Sequence, residues 1–109
     1  MATGDRTAKK LSQGALTSSL VAQVTGAAST ITQVTGMFFV NTGGTARTVT
    51  VTAFGTATAN TLIQSLSLGA YATVVFNDPI VLAAGTILYA KQDTGTDVVL
   101  TTFGVEEQV

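Results

Sequence analysis

The sequence runs to 109 residues, 46% of them hydrophobic and only 10% charged, with a formal net charge of −1 and neither histidine nor cysteine. That length fits one domain with one core, and the two absences exclude imidazole general bases, Ser-His-Asp triads, thiolate nucleophiles and the common zinc sites. The lack of a basic excess excludes a nucleic-acid binder driven by counterion release, and no apolar run reaches the length of a helical membrane span.

Met1 to Lys10 is polar, holds three of the five basic residues (Arg6, Lys9, Lys10) and shows no strand pattern. Residues 1–10 are therefore predicted to form an N-terminal arm ahead of a single domain at 11–109. The segment also lacks the apolar centre of a secretory signal, so synthesis in a cytoplasm is expected. Between Leu11 and Thr25 two spacings compete: Leu16, Leu20 and Val24 match a helix face, while Leu20, Ala22 and Val24 alternate as in a strand. Missing caps, abundant Ser and Thr and the following Gly26 favour a strand. Gly26 to Ser29 reads as a turn and Thr30 to Thr35 as a second, paired strand, with Gly36 a bulge or bend.

Met37 to Phe54 carries the strongest pattern. Met37-Phe38-Phe39-Val40 runs into the turn cluster Asn41-Thr42-Gly43-Gly44-Thr45, and Arg47 then opens an alternation of Thr48, Thr50 and Thr52 with Val49, Val51 and Ala53. This predicts a β-hairpin with an aliphatic face and a threonine face. A loop is expected at 55–60 and a strand at 61–68. Leu68-Gly69-Ala70-Tyr71-Ala72-Thr73-Val74-Val75-Phe76 and Leu82-Ala83-Ala84-Gly85-Thr86-Ile87-Leu88-Tyr89 share a plan, leucine then small residues then Thr, aliphatics and an aromatic, which predicts tandem hairpins with one turn chemistry. Asn77-Asp78-Pro79 separates them as a strand break. Gln92 to Asp97 is a turn, Val98 to Val105 the last strand, and Glu106 to Val109 an exposed acidic tail.

About eight short strands with regular turn signals and no helix predict an all-β fold: an antiparallel β-sandwich of jelly-roll or immunoglobulin-like connection. The expected core is Phe38 or Phe39, Val49, Val51, Phe54, Leu66, Leu68, Val74, Phe76, Ile80 and Leu82. The strands at 86–91 and 98–105 are apolar on both faces, which calls for a second buried surface such as a subunit interface. Asp93 with Asp97 is the closest carboxylate pair apart from Glu106-Glu107, and turn aspartates of this kind serve the backbone, so no enzyme, cofactor or metal is expected. Asn41-Thr42-Gly43-Gly44 precedes a strand and lacks the P-loop lysine, so it is a turn. Tyr71 and Tyr89 are candidates for packing, for an interface, or for stacking on a sugar.

In these motifs, Asn-Thr-Gly-Gly followed by Thr-Ala-Arg-Thr-Val-Thr-Val, Asn60-Thr61-Leu62, Leu68-Gly69-Ala70, and Pro79-Ile80-Val81-Leu82-Ala83-Ala84-Gly85 with Tyr89-Ala90-Lys91, the chain resembles small structural proteins of tailed bacteriophage virions. The resemblance covers about residues 30 to 105 and implies a head decoration, or cement, protein. Such a protein is made in the bacterial cytoplasm, sits in the virion, often as a homotrimer, and binds the major capsid protein or another virion protein. Neck, tail and fibre positions are also compatible with it. The implied contact residues are Arg47, Thr48, Thr50, Thr52, Tyr71 and Tyr89, with Arg47 a possible salt bridge to a neighbour. A carbohydrate- or receptor-binding module is the competing class.

Overall fold

The computed structural model describes residues 4–77 and 79–109. Among the described residues nine strands form two antiparallel sheets: β1 (Arg6–Ala15), β2 (Val21–Thr25), β3 (Thr30–Asn41), β4 (Arg47–Ala53), β5 (Thr61–Leu68), β6 (Thr73–Phe76), β7 (Ile80–Leu82), β8 (Ile87–Gln92) and β9 (Val98–Gln108). One sheet has the order β1-β9-β3-β6, with β7 also on β3, and the other β2-β8-β4-β5. The protein is a β-sandwich, as its pattern predicts.

Its winding is legible from the pairings. β1 lies on β9, β2 on β8, β3 on β6 and β7, and β4 on β5, all antiparallel. These are the rungs of one long nested hairpin with its tip at 54–60. Rolling it up adds the β3–β9 and β4–β8 ladders and closes two four-deep sheets. With β6 and β7 counted as one strand broken at the proline, this is the eight-strand jelly roll. Asp78 of the break lies outside the described residues, as do residues 1–3 of the expected arm.

Rolling overturns the local hairpins. β3 and β4 belong to different sheets, so Met37 to Phe54 is an arch across the core. Its aliphatic faces, Met37 and Phe39 on one side and Val49 and Val51 on the other, meet through the interior. The turn's polar groups bond to other connections as well as to Asn41: Thr42 N and Oγ1 both donate to the Asp97 carbonyl, at 2.9 and 2.7 Å. The two repeated Leu-small-small segments are arches too. Each is closed by a bond three residues back, Ala72 N to Gly69 O and Thr86 N to Ala83 O, both 3.1 Å, with positive φ at the third turn residue, Tyr71 or Gly85. Ala27 to Thr30 repeats this turn, with Ser29 at φ 57°. One turn chemistry thus moves the chain between sheets three times, a use of positive φ at position i+2 that glycine meets most cheaply.

Other expectations are also corrected. The polar stretch before Leu11 is half of β1 from Arg6 onward; it reads as patternless because β1 is an edge strand whose residues are mostly exposed. Leu11 to Thr25 is split between two sheets, so its strands do not pair with each other, and the connecting Leu16 is fully buried. Glu106 and Glu107 extend β9 and are half-buried, held by Lys9 at 2.7 Å and Arg6 at 3.1 Å. Phe54, expected in the core, is 59% exposed with φ 71°, because β4 has already reached the rim at Ala53. The bulge expected at Gly36 is present, as a register shift between Val34 and Gly36. Of the two central phenylalanines, Phe39 is buried against Phe76 and Phe38 points out.

Candidate functional site

The two outer faces of the sandwich differ in chemistry. On the β1-β9-β3-β6 sheet, burial of Val34, Met37, Phe39, Leu100 and Thr102 turns the alternate residues outward. Phe38 is paired in register with Val75 and Thr101, and Gln33 with Val81 and Val105, so Val75 and Val81 share that outward face. Phe103 and Phe38 stack edge to face, with centroids 5.7 Å apart and planes at 82°. Ile31, Phe38, Val75, Val81 and Phe103 remain between 38% and 54% exposed. The charges of this sheet, Arg6, Lys9, Lys10 and the two glutamates, lie on β1 and toward the end of β9, so that Lys10 stands opposite Phe103 and Glu107 opposite Ile31, while Gln33 and Thr101 are the uncharged polar residues between the hydrophobic ones.

The β2-β8-β4-β5 sheet presents hydroxyls. Val49, Val51 and Ala53 are fully buried, so Thr48, Thr50 and Thr52 face outward, with Lys91 opposite Thr50 and Tyr89 opposite Thr52. A groove of about 210 Å3 runs over this face. β4 supplies Thr50 and Thr52, the 54–60 connection supplies Thr56 and Thr58, β5 supplies Thr61 and Gln64, and Lys91 and Leu20 close the opposite side. Thr52 is only 2% exposed, and its Oγ1 has no hydrogen-bond partner among the described residues.

Arg47, placed by sequence on an interface, works within its own chain. Its Nε and Nη2 donate to Asp97 Oδ2 at 3.2 and 3.1 Å and its Nη1 donates to Thr94 Oγ1 at 2.6 Å, which clamps the 93–97 connection to the start of β4. The Asp93/Asp97 pair therefore divides its work: Asp97 holds Arg47, while Asp93 Oδ1 accepts from Thr94 N at 2.8 Å. Gln92, fully buried, joins this cluster by accepting from Val98 N at 2.8 Å and donating to the Thr94 carbonyl. Tyr71 is 74% exposed on the 69–72 connection at the same end, its N bonded to Gly43 O at 3.1 Å.

Of the six residues singled out by sequence, Thr48, Thr50, Thr52 and Tyr89 share one face, and Arg47 and Tyr71 stand at one end of the sandwich. Sequence reasoning missed the outward Phe38 and Phe103 and the groove residues Gln64 and Lys91. Of the first pair, Phe103 had a signal in a strand apolar on both faces, and Phe38 in standing beside Phe39 as the alternative for the core. The second pair had none, because the groove joins residues that only the rolled topology brings together. Among the described residues no cluster of three His, Cys, Asp or Glu occurs, and no helix is long and apolar enough to cross a membrane. Compared with known proteins, the chain matches no family model, no curated protein and no solved structure.

Proposed function

We propose that this chain is a non-enzymatic structural protein of a virion, a decoration protein that binds the outer surface of a tailed-phage head as a homotrimer and stabilises the shell. The reading is carried by one observation: the outer face of the β1-β9-β3-β6 sheet exposes five large hydrophobic side chains, two of them an edge-to-face phenylalanine pair. An apolar face of that kind is a protein-contact surface. Lattice binding also sums modest contacts over many copies, so each contact can be small. The motif resemblance to phage virion proteins supplies the identity of the partner.

Covering what remains exposed of Phe38 and Phe103, about 80 Å2 each, contributes about 2 kcal/mol apiece per contact. The double substitution Phe38→Ser with Phe103→Ser is therefore expected to abolish retention of the protein on purified capsids in a sedimentation assay. The fold stays intact, because both rings point away from the core. High copy number on a stained gel of virions fits a head position, and low copy number fits neck, tail or fibre. Native mass spectrometry showing monomer alone, with no retention of the unmodified protein on capsids, refutes the proposal.

A further inference from the structure

The groove on the opposite sheet has a chemistry that docking through an apolar face does not use. Lys91 lines it, and among the described residues no carboxylate pairs with this cation, whereas Arg6, Lys9 and Arg47 each have one. Around Lys91 stand threonine hydroxyls, which both donate and accept, and the Gln64 amide, whose Nε2 also donates to Ser65 Oγ at 3.2 Å and whose Oε1 accepts. Thr52 lines the floor, its Oγ1 buried beneath the groove surface and without a partner among the described residues. An unpaired ammonium marks a place for one negative charge. Mixed donors and acceptors beside it suit a ligand that carries hydroxyls of its own.

We propose that this groove binds an acidic sugar, one pyranose ring bearing a carboxylate. Lys91 Nζ takes the carboxylate, Gln64 and the hydroxyl of Thr50 take ring hydroxyls, and the Leu20 side chain offers an apolar edge to the ring's C–H face. A volume of about 210 Å3 holds one ring and no more, so recognition is of a single residue in a chain or at its end. A protein carboxylate is the poorer fit, since it brings acceptors only and would leave the threonine and glutamine acceptors unmatched. The site is independent of the Phe38/Phe103 face, being on the other sheet.

The test is a two-dimensional amide NMR titration of the full chain with glucuronate, glucose, N-acetylglutamate and inorganic phosphate. Glucuronate is expected to give saturable shifts at Thr50, Thr52, Gln64 and Lys91, with glucose and N-acetylglutamate each at least about tenfold weaker, since each lacks one of the two recognised features. Lys91→Met is expected to remove the preference for glucuronate over glucose and Lys91→Arg to restore it, while Phe38→Ser with Phe103→Ser leaves the titration unchanged. Equal affinity for glucuronate and phosphate, equal affinity for glucuronate and N-acetylglutamate, or no saturable shift with glucuronate would each overturn the proposal.

Discussion

Asn41 offers the sharpest test of how the arches are held. Its side chain is fully buried at the end of β3, and its Nδ2 donates to the carbonyls of Thr45 at 2.8 Å, Gly69 at 3.1 Å and Leu68 at 3.4 Å, while its Oδ1 accepts from Gly43 N at 3.0 Å. One amide thus ties two connections that cross between the sheets. Asn41→Leu keeps the bulk and removes every polar atom. Thr45 and Gly69 are exposed and can turn to water, but Leu68 is buried and Gly43 half-buried, so those two groups are left unpaired. At about 1–3 kcal/mol for each orphaned buried group, the loss is about 2–6 kcal/mol, or a Tm lower by about 10–30 °C. Asn41→Asp is a sharper variant, because it keeps the acceptor for Gly43 N and aims a carboxylate oxygen at three carbonyl oxygens. Burial and those dipoles raise its folded-state pKa above the unfolded value of about 3.9. The variant is therefore most stable below that value and loses stability as pH rises through the folded pKa. Urea and thermal unfolding at one fixed protein concentration measure both. Asn41→Leu within about 0.5 kcal/mol of the parent, where ordinary surface changes fall, would refute the role given to this amide.

A methyl group at Gly104 would meet the Gln33 carbonyl oxygen inside van der Waals contact and stand 2.7 Å from Leu11 Cδ1. Gly104→Ala is accordingly expected to cost at least about 3 kcal/mol or to prevent folding, as read by circular dichroism. Phe54→Gly relieves a positive φ at an exposed aromatic, so stability is expected to stay level or rise by about 1 kcal/mol, measured by urea midpoint. Arg47→Ala removes a partly buried ion pair whose side chains are 18% and 31% exposed. Its expected cost is about 1–2 kcal/mol, a difference that shrinks in high salt, with capsid retention unchanged because the donors of Arg47 are used within the chain.

Strand positions were legible because the pattern is local. Val49, Val51 and Ala53 alternate with threonine and are buried as alternation demands, and Thr61–Leu68 falls where its β pattern begins and ends. Partnership was not legible, because the same turn residues serve a hairpin or an arch. Asn41-Thr42-Gly43-Gly44 bends the chain in either case, and only the distant Asp97 and Gly69 carbonyls decide which. Edge position was hidden for a related reason: β1 has no buried row of its own, and its register comes from β9 through pairs such as Ser12 with Thr102, whose hydroxyls are 2.7 Å apart. The apolar outer face could be read only as an ambiguity, since outward and inward residues of β9 are both hydrophobic until Thr102 and Gly104 fix which side is dry.

The placement of the few charges ties these features together. A free sheet edge invites pairing with another chain, and charged residues along it oppose that. Three of the five cations stand on the edge strand β1, and two of them are matched by the glutamates of β9, so charge is spent on guarding an edge and fixing a register. Arg47 is consumed in clamping the 93–97 connection to the start of β4. What remains is a sandwich whose edge on β1 is protected and whose faces are not: one is apolar and the other carries hydroxyls around a single unpaired lysine. Association edge to edge would need to displace the ion pairs of β1, whereas association through Phe38 and Phe103 buries an aromatic pair with a single cation, Lys10, beside it. The physical chemistry of the described residues therefore directs contact to the faces.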